Sequence, residues 1–523
     1  MQYTPVFYSA YPDETVLNLM KNWTSATTRR RLRAVRSCAD PAIAMSAAPA
    51  PTLDFQDIQG VVLSGYGHLN YSRFVLLKIT DAQSARRWLS NIANEISSAK
   101  RRRGEDELSG SQNNLAFTRS GLEKLGLPRD TLAAFPREFQ MGIAAPERSR
   151  RLGDLGDCAP QSWQFGGPNT PEIDLLVMLY ARDEAILDHS AVNTLGASLA
   201  ANGVEEILRQ NSIRHGANEP FGFRDGISQP AIEGAAQKVL PGQSVIKAGE
   251  FLLGHVDEYG DLVPVPTISR ELDPDRVLPP DPIQPTRASF GHNGSLLVFR
   301  KLAQDVKGFQ GFLERATRNA DGSNNPDRAK LLSAKMIGRW PSGAPLTLAP
   351  EKDNQELGSN KYRNNDFGFA TTDHDGFACP VGSHIRRANP RDAPAFPPDP
   401  KLSLNIANRH RIIRRGRPYR EALAASGNEV EQGLLFLAIN ASLVRQFEFI
   451  QQSWLNNPKF NGLYDERDPL SSAIAGGDAM MTMQAKPVRE RLHGLPRFVT
   501  VRGGAYFFLP SIRALKFLAQ IRS

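Results

Sequence analysis

Cysteine is scarce in this sequence, which has three among its 523 residues: Cys38, Cys158 and Cys379. Three widely spaced thiols cannot form a disulfide framework, and their spacing matches no zinc site. Because disulfides persist mainly in oxidising compartments, this scarcity favours a reducing compartment. We therefore expect a cytoplasmic protein, although the sequence leaves secretion open.

Long apolar runs are missing as well. No stretch reaches the roughly 18 apolar residues of a membrane-spanning helix, which predicts a soluble chain without a membrane partner. The first 53 residues are basic, but Cys38, Asp40 and Pro41 interrupt the place where a secretory signal needs a continuous apolar segment. We interpret residues 1–53 as a disordered basic leader, or as the result of a start codon placed too early.

Charge is plentiful and leans to one sign: 63 Lys and Arg against 55 Asp and Glu give a net charge of +8. The basic runs at residues 29–36, 100–103 and 409–417 are short and lack interleaved aromatic residues. For the first two runs this pattern favours solvated surface over a nucleic-acid interface. A basic nucleic-acid-binding protein remains a rival hypothesis, and the positive field would attract anionic small molecules.

The composition, 41% hydrophobic and 23% charged, is that of a globular protein and excludes a collagen-like or coiled-coil fibre. Hydrophobic periodicity in the first half predicts the order β-α-β-β-α-β, typical of a ferredoxin-like unit. The predicted strands are Phe74 to Ile79, Leu115 to Thr118, Leu175 to Tyr180 and Val204 to Arg209. The predicted helices carry Trp88, Leu89, Ile92 and Ile96, and then Leu187, Ala191, Leu195 and Leu199 with an end at Gly203.

The second half repeats that order. Its predicted strands are Ser295 to Phe299, Arg411 to Arg415, Leu434 to Ile439 and Phe498 to Phe508, and its helices carry Val306, Phe309 and Leu313, then Leu443, Phe447, Ile450 and Trp454. We therefore predict an α+β fold of two tandem ferredoxin-like units with antiparallel sheets, residues 54–257 and 289–523, joined by a Pro-rich connection at 258–288. A Gly-, Asn- and Pro-rich insertion at residues 341–410 holds His374, His384 and His410, and loops of that length are usually functional or disordered.

The first candidate functional motif is Gly222-Phe223-Arg224-Asp225-Gly226. An Asp-Gly pair next to a Phe-rich stretch is typical of a turn, and local sequence favours the turn over a functional role. Turns also present catalytic carboxylates, and an Asp beside Phe221 and Phe223 could have a raised pKa that suits acid-base chemistry.

The second candidate motif surrounds His384. One His without a second ligand at zinc spacing suits haem better, because the porphyrin supplies four nitrogens and the protein adds one axial imidazole. Arg386, Arg387 and Arg391 could then bind the propionates, since guanidinium groups match carboxylates; the alternative is solvated surface. Cys379 is a competing axial ligand through its thiolate, and we rank it below the imidazole.

The third motif, residues 409–419, places five arginines around Ile412 and Ile413, which is typical of a charged edge strand. Strand alternation puts one arginine inward together with an isoleucine, which suggests a buried anionic partner. The fourth motif, residues 433–440, is a core strand that could also form the wall of an apolar pocket.

Together these four motifs resemble the dye-decolourising haem peroxidases. The resemblance runs from Asp54 to the end of the chain and includes Asp57-Ile58-Gln59-Gly60, the Gly-x-x-Asp-Gly signature at residues 222–226, residues 382–390 and residues 412–419. One such motif is weak, but four in the right order are specific. The family's two ferredoxin-like units around a haem pocket agree with the strand order predicted from periodicity.

The resemblance implies one haem b per chain, with His384 as the iron ligand and metal-binding residue and with Asp225 and Arg414 as the catalytic pair. Leu434 and Phe436 would line the distal pocket, with Leu435 as an alternative. Gly416 stands where some branches of the family have an asparagine. A carboxylate should hold the second nitrogen of His384, and Glu448 and Asp373 are the candidates.

The resemblance also implies the reaction: Asp225 moves a proton of hydrogen peroxide, and Arg414 stabilises the charge as the O–O bond breaks. The expected donors are bulky aromatics such as anthraquinone or azo dyes and phenols. Tyr419 and Trp454 are candidate surface radical relays for donors too large to reach the haem, and ordinary packing is the alternative. The main alternative is a haem-binding or haem-delivery protein without turnover. The sequence does not determine the oligomeric state.

Overall fold

The computed structural model describes residues 53–100, 110–235, 237–393, 399–422, 429–471 and 479–521, all within one compact unit. The predicted leader therefore lies outside the described residues, except for Leu53 at its end. None of the helices in these ranges has the length and hydrophobicity needed to cross a membrane.

The main sheet contains nine strands in the described part of the chain. They are β1 Tyr71–Ile79, β2 Ser111–Phe117, β3 Leu175–Ala181, β4 Val204–Ile213, β5 Ser295–Gln304, β6 Ile413–Arg414, β7 Arg417–Ala422, β8 Val430–Asn440 and β9 Val499–Leu509. Three two-stranded sheets lie apart from it: Ala231–Ile232 with Val245–Ile246, Thr267–Ser269 with Arg287–Ser289, and Met481–Met483 with Glu490–Leu492.

Six helices carry most of the packing and the site: α1 Ala82–Ile92, α2 Glu184–Leu195, α3 Val306–Ala316, α4 Pro326–Ile337, α5 His384–Ala388 and α6 Ile512–Gln520. The other α-helices of the described residues are Gly60–Leu63, Arg119–Lys124, Arg129–Ala133, Arg137–Met141, Pro146–Leu152, Gln355–Ser359, Phe369–Thr372, Pro400–Asn408 and Phe447–Phe449. A π-helix at Ile450–Leu455 continues the last of these. Side chains cap most of the first six helices; Asp81, for example, accepts from the Ser84 N–H at the start of α1.

The strand order confirms the α+β fold of two ferredoxin-like units. The first unit runs β2-β3-β1-β4 and the second runs β6-β8-β5-β9 with β7 also paired to β8, so both units have the same arrangement. All these pairings are antiparallel, and Phe508 of β9 pairs with Phe117 of β2 to join the two units. The Ser212 hydroxyl of β4 donates to the Pro418 carbonyl of β7 at 2.6 Å, so the sheet curls until its two ends meet.

Alternation along the strands separates two hydrophobic cores. Phe74, Leu176, Leu435 and Phe507 belong to the core on one face of the sheet. The other face packs against the helices, and α1 and α6 contribute Trp88, Leu89 and Leu515 to that second core. A third core lies beside it, between α3, α4 and the segment that carries Phe223. The candidate site lies near this third core.

Several predicted boundaries are wrong in detail. Helix α2 ends before Gly196, whose φ of 77° turns the chain away, and not at Gly203. Helix α1 ends at Ile92, so Ile96 packs from outside it. In the second unit, Leu443 precedes the helical segment, and the strand predicted from Arg411 to Arg415 has only the two residues of β6. The insertion at 341–410 contains short helices, and the domain boundaries at 257 and 289 remain a prediction.

Candidate active site

His384 is the first residue of α5, directly after Ser383. Its Nδ1 lies 2.8 Å from Oδ2 of Asp468, a completely buried carboxylate. The other carboxylate oxygen, Oδ1, accepts from the backbone N–H groups of Leu470 and Ser471, at 3.0 and 2.8 Å. Because an ionised carboxylate can only accept, Nδ1 carries the proton and Nε2 keeps its lone pair. The imidazole is thus oriented as a ligand through Nε2.

Electrostatics within this pair support the same assignment. Burial lowers the pKa of His384, but the charge and hydrogen bond of Asp468 outweigh burial and hold that pKa above its ordinary value. Burial raises the pKa of Asp468, but His384 and the N–H of Ser471 together outweigh burial and hold that pKa below its ordinary value. The carboxylate therefore stays ionised and makes the imidazole a stronger electron donor.

Both expected carboxylate partners of His384 are wrong. Glu448 instead accepts from Arg148 at 2.6 Å and from the Tyr506 hydroxyl at 2.9 Å. Asp373 is occupied by Arg386 and by backbone N–H groups. Asp468 lies 84 residues after His384, and only its position before Pro469 and Ser471 marks it as a turn former. Sequence spacing alone therefore could not connect it to the histidine.

Asp225 lies in a turn, as its Asp-Gly pair predicts. Gly222 and Gly226 both have positive φ, 97° and 77°, which only glycine adopts easily. The Asp225 N–H donates to the Ala217 carbonyl at 3.0 Å, and its Oδ1 accepts from the Gly226 N–H at 2.6 Å. The side chain keeps 39% of its surface exposed, so the carboxylate is held by the turn and still accessible.

Arg414 approaches this carboxylate from β6. Its Nη1 lies 3.9 Å from Oδ1 of Asp225, and its side chain is also 39% exposed. The Arg414 backbone N–H donates to the Gln229 side chain at 3.0 Å. The positive charge of Arg414 lowers the pKa of His384, so the structure brings the three predicted residues close together.

Arg415 is the arginine that points inward beside Ile413. It donates to the backbone carbonyls of Val61 and Val62, each at 2.7 Å, at the end of the Gly60–Leu63 helix. The anionic partner predicted for this arginine is therefore wrong: the partial negative charge of a helix carboxyl end takes that place.

The wall residues Leu434 and Phe436 share one face of β8 and are half-buried. Leu435 points to the opposite face, where it is fully buried in the first core. Alternation along the strand thus supports Leu434 and Phe436 as a pair and gives Leu435 a packing role.

Arg386 and Arg387 are buried and bound to the protein itself. Arg386 donates to Asp373 at 3.1 Å and to the carbonyls of Asp373, His374 and Cys379. Arg387 donates to the carbonyls of Gly382, Trp454, Asn457 and Glu466. These contacts correct the expected propionate role of both residues, because they fix the segment that carries His384.

Another group of arginines has the free donors that an anion needs. Arg411 has no hydrogen-bond or ion-pair partner for its guanidinium among the described residues, and burial with Arg391 and Arg414 lowers its pKa to about 9. Arg391 donates to Ser228 and Gly242, but its buried Nε has no partner in that same part of the chain. Nearby Arg339 donates to the carbonyl of Gly343 at 2.7 Å. This cluster of arginines has the charge and the donors to hold an anion.

Cys379 is a poor iron ligand. Its side chain is fully buried, and its sulfur lies 3.2 Å from the Ser383 hydroxyl. Burial raises the pKa of the thiol, so the thiolate that would bind iron is disfavoured. His374 is exposed beside Asp375, and His410 stacks on Phe449. Of the three histidines in the insertion, His384 alone has a buried carboxylate partner in the described structure.

Comparisons with known proteins show which family the chain resembles. No family model matches the chain. A dye-decolorizing peroxidase of Exidia glandulosa is 30% identical over 537 residues, which cover 98% of this chain and 96% of that protein. A dye-decolorizing peroxidase of Mycena epipterygia is 33% identical over 78% of this chain and 76% of its own length. The crystal structure of a fungal DyP-type peroxidase from Auricularia auricula-judae superposes with a TM-score of 0.72 at 28% identity, covering 90% of this chain and 100% of that one.

The described site combines an imidazole oriented by a buried carboxylate with a nearby Asp–Arg pair, on a fold of two ferredoxin-like units. With these relatives, the chain belongs to the dye-decolourising peroxidase family. It is therefore a haem-dependent enzyme.

Proposed function

We propose that this enzyme binds one haem b per chain through His384 and uses hydrogen peroxide to oxidise bulky aromatic donors. The observation that carries this proposal is the hydrogen bond from His384 Nδ1 to the buried Asp468, 2.8 Å long, opposite the Asp225–Arg414 pair. Asp468 would tune the ligand, and Leu434 and Phe436 would form an apolar wall of the haem pocket.

The residues present fit this cofactor. Haem b carries two propionate carboxylates, and Arg411 and Arg391 offer guanidinium donors that the described protein groups leave without partners. A buried guanidinium without an anion is costly, so a carboxylate at this place relieves an existing electrostatic cost. Bidentate pairing with carboxylates is also what the guanidinium geometry favours. Arg391 thus retains the role expected of it, and Arg411 joins it.

When bound through His384, the haem would supply the redox-active iron that peroxide chemistry needs. Asp225 accepts a proton from the peroxide oxygen and returns it to the leaving oxygen. Arg414 stabilises the negative charge that develops as the O–O bond breaks. Arg414 Nη1 and Asp225 Oδ1 lie side by side, 3.9 Å apart, so both groups could contact the same small molecule.

Phenols and anthraquinone or azo dyes are the donors we propose. A related dye-decolorizing peroxidase has been solved in complex with 2,6-dimethoxyphenol, which supports a phenolic donor for this chain. The surface position expected for the relays Tyr419 and Trp454 is wrong, because their side chains are only 2% and 7% exposed, so either would relay electrons from within the protein. Tyr419 donates to Glu431 at 2.9 Å, which gives its phenol proton an acceptor.

The first experiment is an absorption spectrum of the purified ferric protein, followed by hydrogen peroxide and then an anthraquinone dye. We expect a histidine-ligated haem spectrum that shifts with peroxide and returns as the dye bleaches. Asp225→Asn should keep the haem spectrum and lower kcat/KM for peroxide by about 10²-fold or more. Asp157→Asn, at a 91% exposed side chain, is the matched control and should leave the rate unchanged.

Three outcomes would contradict parts of the proposal. Near-normal turnover by Asp225→Asn would remove the proton-transfer role from Asp225. A haem spectrum that does not respond to peroxide would favour the alternative, a haem-binding or haem-delivery protein. An unchanged Soret band in His384→Ala would move the iron ligand to another residue, with Cys379 the next candidate.

A further inference from the structure

Glu219 is a charged residue beside the site that the proposed reaction does not use. Its Oε1 accepts from the Phe223 N–H at 2.9 Å. Its Oε2 accepts from the Phe221 N–H at 3.0 Å and from Gln304 Nε2 at 2.8 Å. Three N–H donors thus converge on two carboxylate oxygens, and one of them comes from β5 of the second ferredoxin-like unit.

These contacts require a carboxylate. A glutamine at this position has one acceptor oxygen, and its amide nitrogen would face the donor N–H of Phe221 or Phe223 in either orientation. The Glu219 backbone closes the same turn, because its N–H donates to the Phe223 carbonyl at 2.9 Å and its carbonyl accepts from the Gly222 N–H at 2.8 Å.

The turn that Glu219 closes is the one that presents Asp225. Phe223, two residues before Asp225, is buried in the third core, and Phe221 packs on Phe309 with ring centroids 4.7 Å apart. The two phenylalanine rings fix the turn to α3, while Glu219 fixes its backbone to β5. The position of the Asp225 carboxylate relative to Arg414 therefore depends on Glu219.

The Glu219 charge carries a stability cost. Burial raises the pKa of Glu219, and the charge of Asp225 raises it further. A carboxyl whose pKa is raised in the folded state stabilises the fold at low pH and loses that contribution as the pH rises through the folded value. The ionised form of Glu219 therefore does not serve global stability. The ionisable groups within reach of its charge are Asp225 and His384, and Gln304 is neutral.

We propose that Glu219 is a positioning residue for the peroxide reaction: by holding Phe221, Phe223 and Gln304 it keeps Asp225 in place beside Arg414. This inference rests on the proposed function, in which Asp225 transfers the proton. Glu219 itself touches neither peroxide nor haem in this role.

The test compares Glu219→Gln with the wild-type holoenzyme. We expect kcat/KM for peroxide to fall about 10-fold or more, with its pH profile altered, while the KM for 2,6-dimethoxyphenol stays within about twofold. Cyanide binding to the ferric protein gives a readout other than turnover. Because hydrogen cyanide must lose a proton to bind, its association rate should fall in parallel with the peroxide rate.

A matched control and a rescue separate positioning from folding. Asp273 is a buried carboxylate that organises a turn elsewhere, accepting from the Val277 and Leu278 N–H groups. Asp273→Asn should change the melting temperature without changing the pH profile. In Glu219→Gln/Gln304→Glu the amide of residue 219 can donate to the carboxylate of residue 304, so part of the lost rate should return.

The outcomes are distinct. Wild-type protein that binds no haem or ignores peroxide overturns both the proposed function and this inference. An active wild type with an unchanged Glu219→Gln overturns this inference alone, as does a double variant with no recovery. If Glu219→Gln does not fold, Gln304→Leu, which removes one of the three donors, must lower the same peroxide and cyanide rates or the inference fails.

Discussion

At the scale of single residues, the arginines of this chain fall into two classes that the sequence does not distinguish. Buried Arg386 and Arg387 and half-buried Arg415 each make several hydrogen bonds to protein groups, mostly backbone carbonyls, which places them in the scaffold. Buried Arg391 makes only two such bonds and the guanidinium of half-buried Arg411 makes none among the described residues, although Nε lacks a partner in Arg386 as well as in Arg391. The first class stabilises the fold, and the second suits an anion at a cost to the fold.

This difference predicts opposite effects of the same substitution. Arg411→Leu removes a half-buried charge that has no partner among the described residues, so the apo protein should melt at an equal or higher temperature while haem binds more weakly, by about 10-fold or more. Arg386→Leu breaks a buried pair with Asp373 and should cost about 3–5 kcal/mol of stability. Thermal melts of apo protein and haem titrations check both. A clear loss of apo stability in Arg411→Leu would contradict the assignment.

At the scale of elements, two short segments position the side chains of the candidate site. Strand β6 has only two residues, yet its pairing with β8 fixes which face Arg414 takes. The five-residue helix α5 fixes the position of His384, which is its first residue. A separate set of contacts ties His292 and Asn293 to the first described turn, which contains Asp57. The Asn293 side chain donates to Asp57 at 2.9 Å, and Asp57 also accepts from the backbone N–H of Arg513 in α6.

Two stacked histidines, His255 and His292, lie beside this contact between Asn293 and Asp57. The stability of the fold should therefore decrease in acid. The rings of His255 and His292 lie 5.1 Å apart, and burial, followed by the charge of His255, lowers the pKa of His292 to about 4. A histidine with a depressed folded pKa stabilises the fold above its unfolded pKa, near 6.5, and loses that contribution as the pH falls toward 4. The loss should be about 1–3 kcal/mol after allowance for partial solvent screening.

His292→Gln should therefore show a smaller fall in melting temperature between pH 7 and about pH 4.5 than the wild type does. Exposed His493→Gln is the matched control and should follow the wild-type curve. Identical pH dependence in His292→Gln and the wild type would show that this histidine pair does not set the acid stability.

At the scale of the whole molecule, the site is assembled from both ferredoxin-like units. The first unit's half of the chain supplies Asp225 and Glu219, and the second supplies His384 and Arg414, with Gln304 linking the two through Glu219. One continuous sheet, joined at Phe117 and Phe508, holds these groups together. Haem bound between them should stabilise the entire unit and not one half.

Haem binding should accordingly raise the melting temperature of the full chain in a single transition. At a free haem concentration of about 100 times Kd, the expected gain is about 2.7 kcal/mol. His384→Ala should lose most of this gain, measured against its own apo protein, whose melting temperature should fall because buried Asp468 loses the histidine. Differential scanning calorimetry with and without haem measures both, and a gain confined to one of two separate transitions would contradict a shared site.

The sequence by itself determined the fold class and the repeated strand order, because periodicity is encoded in neighbouring positions. Through the family resemblance of its motifs it also predicted His384, Asp225, Arg414, Leu434 and Phe436 as the principal residues, and their roles remain a proposal. It missed contacts between distant positions: Asp468 lies 84 residues from His384, and Gln304 lies 85 residues from Glu219. Motif position likewise could not separate Arg386 and Arg387 from Arg391 and Arg411. Only the tertiary structure decided these roles, because a buried donor's function depends on whether folding brings it a carbonyl, a carboxylate or no protein partner at all.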